Sequence, residues 1–291
     1  MKYLFLAIGL GAALGGCAPR LIVQSPSLTS ASPSSPSALP LGQEPFLVIP
    51  ETDAFAGPAQ ELGDIRIKDT GLSLVCDYET VVALGTRQAR QLGANVLRIY
   101  EHQLPGPWST CHRIRAKALR VADITPYEKE ILWQPTRRLR QADFKASVAD
   151  RPFEAATNTT VRYQYAGQLF KGSVQLTIET VFDCQNSYFK GTRDPAQTLT
   201  HEQGHFDISE IYARRLTKAF KEQLANTKEL EAKQAVLYHQ VMTEAQTMQD
   251  KYDSELYADR SKLPAWLATI AQQLAELQPY AEKKVTIKIK I

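Results

Sequence analysis

The stretch TLTHEQGHFDISEIYARRL, residues 198–216, constrains this chain more than any other. Nothing in it forbids a helix except Gly204, which costs about 1 kcal/mol against alanine in a helix interior. At roughly 100° per residue, His201 and His205 leave the same face one turn apart, so two imidazoles can converge on one metal ion. Glu202 lies about 100° round from His201, beside that face, where its carboxylate can take a proton from a water held by the metal. The chain has only five histidines. A chance pentad of this kind has a probability on the order of one percent, so a metal site is expected rather than an amphipathic helix that merely spells one. Gly204 lets a strand or ligand come close to the helix.

Two ligands do not complete a zinc site, and the same helix supplies no third. Glu210, five residues past His205, lies about 180° round from His201; it is read as supporting the ligands or lying on the surface. The third ligand must come from elsewhere, and a second long helical stretch, roughly Lys228 to Ala258, is the natural donor. If the two helices form an antiparallel hairpin turning near Asn226, equal rise per residue sets position 203 opposite about 249. His239 then packs some 15 Å along the axis from the histidine pair and is not expected as a ligand.

The chain opens MKYLFLAIGLGAALGGC: a basic Lys2, an apolar run too short to span a bilayer, and small residues before Cys17. Leu14 to Cys17 resemble a bacterial lipobox, which implies cleavage, lipidation of Cys17 and a mature protein outside the cytoplasm, held to a membrane by the lipid alone. An ordinary secretory signal is the alternative. Ala18 after the cysteine resembles sorting to the outer membrane. Residues 18–45, including SPSLTSASPSSPSALP, are too poor in charge and aromatics to order themselves and read as a disordered tether. A net charge of +3 over 291 residues, with no concentrated basic patch, gives no support for nucleic-acid binding. Oligomeric state has no signature here.

Residues 46–123 read as a small α+β domain. DIRIKD, NVLRIYEH and HRIRAKALRV have strand patterns, and DYETVVALGTRQARQLG reads as one helix capped by Asp77 and stopped by Gly93. Val81, Gly85, Ala89 and Leu92 repeat on its inner face; Ile114, Ala116 and Ala118 alternate with Arg113, Arg115 and Lys117 on the last strand. Cys76 and Cys111 fall in this compact segment and, in an oxidising compartment, are expected to pair, leaving Cys184 odd. A zinc–cysteine site is the competitor, but the chain has no CxxC. His102 and His112 read as solvated strand-end histidines. LGANVLRIYEHQLP with the two cysteines resembles small domains of bacterial envelope lipoproteins of the Rcs stress-sensor type, implying a recognition or spacer module.

Residues 124–291 carry the metal helix. AATNTTVRYQYAG and KGSVQLTIETVFD read as paired strands ahead of it, and an exposed strand between about 160 and 183 is expected to hold an extended substrate by strand addition. Trp133, Leu139, Asp143 and Phe144, then Ser187 and Tyr188, then HEQGHFDISEIYARR, resemble an uncharacterised bacterial family of predicted zinc-dependent proteases, over roughly residues 130–280. Its members look like minimal gluzincins, so the resemblance implies a zincin-like domain with a β-sheet, an HExxH helix and a second long helix. That family usually carries YD followed by a T-x-H-G pattern whose histidine is a plausible third ligand. This chain reads KYDSELYADRSKLPAW: Tyr252, Asp253 and Glu255 are kept, and the histidine is missing. A carboxylate can replace imidazole on zinc, so Asp259 is the first substitute, with Asp253 and Glu255 behind it. The expected function is a membrane-tethered zinc metallopeptidase acting on peptides or proteins of the cell envelope, with Zn2+ on His201, His205 and Asp259 and Glu202 as base. The alternative is a non-catalytic envelope lipoprotein, a binding or sensing module with a degenerate metal site.

Overall fold

The computed structural model of the chain describes residues 20–24, 45–69, 76–106, 109, 111–168 and 172–290. The expected signal segment with Cys17, and most of the expected tether, lie outside the described residues. The chain divides into two units, the main break falling between Arg120 and Val121, close to the boundary expected after residue 123, with residues 45–47 grouped with the second unit. Both mix helix and strand, as the α+β reading expects. No helix among the described residues is long and apolar enough to cross a membrane.

The first unit is one helix on a sheet. Strands β1 (Arg20–Gln24), β2 (Leu47–Ile49), β3 (Gln60–Lys68), β4 (Val96–Gln103) and β5 (Arg113–Arg120) line up in the order β1-β3-β5-β4-β2. Helix α1 (Tyr78–Gln91) starts where the Asp77 carboxylate accepts the Thr80 backbone N–H at 2.8 Å. It stops before Gly93, which takes φ +82°. Its buried face is Val81, Gly85 and Ala89. A Cβ on Gly85 would stand 3.1 Å from Leu97 Cδ2 and 3.5 Å from Ile114 Cδ1, so the glycine lets the helix lie against β4 and β5. On β5, Ile114, Ala116 and Ala118 are buried while Arg113, Arg115 and Lys117 are not.

Two expectations for this part of the chain need correction. Within the segment read as a structureless tether, Arg20–Gln24 pairs antiparallel with β3, Arg20 opposite Lys68 and Gln24 opposite Asp64. RLIVQ is a short apolar run that satisfies the open edge of β3, a signal outweighed by the Ser/Pro composition that follows it. His102 and His112 are not separate solvated side chains either: His102 Nε2 lies 2.8 Å from His112 Nδ1, and His102 Nδ1 lies 3.3 Å from Glu51 Oε1. The β4–β5 register sets His102 opposite Ile114, within reach of His112. Burial and the neighbouring His102 hold the His112 imidazole below its ordinary range.

Cys76 and Cys111 form the expected disulfide, 35 residues apart in sequence, and Cys184 stays free and buried. Burial pushes the Cys184 thiol up to about 12, which keeps it protonated and unreactive. Closing a loop of this length is worth about 3–4 kcal/mol in the chain-entropy model. Reductant is therefore expected to lower the urea midpoint of the first unit, followed by circular dichroism. A midpoint that reductant does not move would contradict this role.

The second unit is built round a long central helix. Strand β9 (Ser173–Asp183) has β8 (Thr159–Gln168) along one edge, with β6 (Glu130–Leu132) and β11 (Lys284–Lys288) at opposite ends of the other. A separate ribbon pairs β7 (Ala155–Ala156) with β10 (Tyr188–Phe189). Helix α2 (Pro195–Gln223) packs on the sheet and also against α3 (Thr227–Ala258) and α4 (Leu263–Glu276). Covered on several sides, it buries Ile208, Ile211, Leu216 and Phe220 against Leu176, Ile178, Val285, Leu237, Val241 and Ile270, and Phe206 against Ile131, Leu139 and Phe182. Helix α4 and strand β11 were not anticipated from the sequence. The expected hairpin forms: only residues 224–226 separate α2 from α3, and the Asn226 side chain caps α3 by accepting from Lys228 and Glu229.

Glu210 corrects the reading that left it supporting the ligands or on the surface. It is fully buried, accepting from Arg214 Nε at 2.9 Å, Lys283 Nζ at 2.7 Å and Thr180 Oγ1 at 2.6 Å. This network ties α2 to β9 and to the residue before β11. A buried carboxylate is tolerable only with such partners, and its place opposite His201 on the helix puts it on the sheet side.

Candidate metal centre

The hairpin register decides what faces His201 and His205. Descending α3 brings Gln249, Tyr252 and Asp253 to the histidine face of α2. His201, His205 and Asp253 form the one group of three such side chains, among the described residues, whose ligand atoms all lie within 4.8 Å of one another. His201 Nε2 and His205 Nε2 are 3.1 Å apart; Asp253 Oδ1 is 3.1 Å from the first and 3.0 Å from the second. The three atoms make a nearly equilateral triangle. Its edge is close to the ~3.3 Å that tetrahedral zinc with ~2.0 Å bonds sets between ligand atoms.

The tautomer of His205 sharpens this geometry. Gln249 Nε2 donates to the His205 carbonyl at 3.0 Å, so its Oε1, 2.6 Å from His205 Nδ1, is the acceptor and Nδ1 carries the hydrogen. In the neutral ring, Nε2 then presents a lone pair 3.0 Å from a carboxylate oxygen. Two acceptors at that distance repel unless a positive charge lies between them. Asp253 Oδ1 is buried without a hydrogen bond of good geometry, although both imidazoles are within ion-pair distance. Burial opposes charge on His205, but Asp253 and Glu202 outweigh it and raise its pKa; the two imidazoles likewise hold the Asp253 carboxyl well below its usual range against burial. The cluster favours a cation at its centre, and a metal can take the place of the proton there. Two imidazoles and a carboxylate are a donor set found in open zinc sites.

Glu202 is where the helix geometry expects it. It is 4% exposed, and its Oε2 is buried with no hydrogen-bond partner. The residue borders a cleft of about 360 Å³ that also reaches His201. An unpartnered buried carboxylate oxygen is costly, and at the edge of a cleft it points to a role in accepting a proton or a ligand.

Asp259 does not join the cluster. It follows the last residue of α3, and its carboxylate accepts the Ser261 backbone N–H at 2.9 Å and the Ser261 hydroxyl at 2.7 Å, capping the next turn. The side chain that joins the two imidazoles is Asp253, one of the two weaker candidates. Glu255, the other, sits with Trp266, Lys251 and Lys262. His239 is absent from the cluster, as the register expects. No described residue of β8 or β9, where the substrate-holding strand is expected, is among those lining the cleft. Its walls are Pro152–Ala155, Lys190, Thr192 and Arg193, the first turns of α2, and the end of α3 with the residues just past it.

Gly204 is explained neither by a strand nor by a ligand. An added Cβ would lie 2.2 Å from Tyr252 Oη and 2.7 Å from its Cζ. The Tyr252 ring also stacks on His201 with centroids 4.9 Å apart, and its hydroxyl donates to the His201 carbonyl at 3.1 Å. The glycine therefore admits the ring that fixes the first histidine. Gly204→Ala should lower stability by about 1–3 kcal/mol through overpacking, although helix propensity alone would raise it by about 1 kcal/mol. A urea midpoint equal to or above wild type would mean that Tyr252 gives way. Gln249 was also missed, although the hairpin register had already set position 249 opposite this turn.

Residues singled out upstream of the helix act as its support. Trp133 Nε1 donates to Asp207 at 2.8 Å, and the Leu139 backbone N–H donates to Gln203 Oε1 at 2.8 Å. Arg137 clamps buried Asp143 with two bonds, and Ser187 Oγ accepts the Asn158 backbone N–H. No family model, curated protein or solved structure matches the chain, so the resemblance to predicted zinc-dependent proteases rests on the quoted residues alone.

Proposed function

We propose that the second unit is a zinc-dependent peptidase of minimal zincin type, held at the bacterial cell envelope by a lipid on Cys17. The observation that carries this reading is the triangle of His201 Nε2, His205 Nε2 and Asp253 Oδ1 with the unpartnered Glu202 carboxylate oxygen beside it. Zinc in such a site supplies Lewis acidity to a carbonyl and an acidified water. The chain's own residues do the rest. Gln249 holds His205 in the tautomer that presents Nε2, the carboxylate-like orienting role that ligating histidines need. Tyr252 braces His201 from the other side. Glu202 receives a proton from the attacking water and passes it to the departing amine. Hydroxide adds to the carbonyl carbon, the C–N bond breaks, and the products are a carboxylate and an amine, with one water consumed.

The envelope placement is supported by the lipobox-like LGGC at Leu14–Cys17. Mass spectrometry of the mature N-terminus tests it: a lipidated Cys17 is expected, and retention of Met1–Gly16 would contradict it. The site itself is tested by zinc-loaded protein on a mixed peptide substrate, where cleavage that chelator abolishes and zinc restores is expected. Zinc uptake without cleavage would favour the rival binding or sensing module.

A further inference from the structure

The cleft beside Glu202 has a charge imbalance that points to what it takes. Its charged lining is Lys190, Arg193 and Arg260 against Glu154 and Glu202. Glu154 is already committed to the wall, accepting from the Thr192 backbone N–H and hydroxyl and from the Arg193 backbone N–H at 3.0 Å. Those bonds hold its carboxyl below the usual range, so it stays an anion, but its oxygens are turned to the wall. Lys190 Nζ donates to the Arg151 carbonyl, a neutral acceptor, at 2.5 Å. Arg193 and Arg260 are exposed, and among the described residues neither has an ion-pair partner. They stand at the chain entry to α2 and just past the end of α3, the two helix ends that carry the metal-cluster residues. At the same cleft Phe153 and Tyr257 stack with centroids 6.0 Å apart and planes at 15°, though 53% and 59% exposed. A stacked aromatic pair left open to water offers an apolar contact beside the cationic side chains.

We infer that this cleft selects acidic peptides, placing an Asp or Glu side chain of the substrate against Arg193 and Arg260 next to the bond that is cut, with an apolar neighbour over Phe153 and Tyr257. Guanidinium groups suit this role because they meet a carboxylate with two parallel N–H donors. The inference rests on the peptidase reading and adds the substrate class to it.

The test uses the full zinc-loaded chain and a peptide library made from digested bacterial proteins, with cut sites read by mass spectrometry. Asp and Glu should be enriched about fivefold within two residues of the cut, the upper end of what one partly exposed ion pair supplies. Arg193→Glu with Arg260→Glu should remove that enrichment and favour Lys and Arg instead. The neutral pair Arg193→Gln with Arg260→Gln should flatten it, which keeps the test sound if the charge reversal misfolds. The readout is a ratio of acidic to neutral cut sites, so total activity does not enter it. Cutting without acidic enrichment, or enrichment that survives both variants, overturns the inference and leaves the peptidase reading standing. Zinc-loaded wild type that cuts nothing overturns both.

Discussion

Glu202→Gln should reduce peptide hydrolysis at least a hundredfold while zinc content stays at the wild-type level. General-base assistance contributes typically about 10²–10⁴ in rate, and glutamine keeps the size of the side chain while losing the ability to accept a proton. The geometry makes the separation sharp. Glu202 is not one of the three clustered residues, and no hydrogen bond to its Oε2 is lost in the substitution. Parallel assays of metal content and cleavage read the two properties independently. A variant that keeps its activity would remove Glu202 from the chemistry; one that loses zinc as well would make it a ligand.

Asp253→Ala should weaken zinc binding more than the 10–100-fold that loss of an outer-shell partner costs, and Asp259→Ala should leave it unchanged. Asp253 Oδ1 completes the triangle with the two imidazole nitrogens. Asp259 is tied to Ser261 by two hydrogen bonds and caps a turn, so its loss should show in stability alone, by about 1 kcal/mol. Gln249→Ala lies between the two, since it frees the His205 tautomer without removing a ligand. Competition with a chromophoric zinc chelator gives the three affinities on one scale. Equal affinities for wild type and Asp253→Ala would return the third ligand to an open question.

The contrast between these two aspartates shows what the sequence held and what it hid. Helical periodicity alone put His201 and His205 on one face with Glu202 beside them, and the cap at Asn226 set a hairpin. That register places 201 opposite about 251, two residues from Asp253. Asp259, eight residues further, would stand roughly 12 Å along the axis. Asp259 occupies the neighbourhood of the missing family histidine, but α3 ends at Ala258, and Asp259 caps the next turn instead of joining His201 and His205.

Other misses have local causes. The Ser/Pro composition after Gln24 concealed a five-residue edge strand whose pairing is supplied by β3. Glu210 was placed correctly on the far side of α2, but periodicity could not tell that this side faces β9, Arg214 and Lys283 rather than water. Gly204 was read as room for a ligand, while its neighbour, Tyr252, comes from 48 positions along the chain and only the hairpin brings it there. The disulfide was legible because Cys76 and Cys111 bracket one helix and one strand of a single small domain.

Zinc titration of the demetallated wild-type protein by calorimetry, followed by X-ray absorption at the zinc edge, tests the central claim most directly. The account predicts one zinc per chain in a first shell of two imidazole nitrogens and a carboxylate oxygen from His201, His205 and Asp253. Failure to take up zinc, or a shell without imidazole, would contradict it.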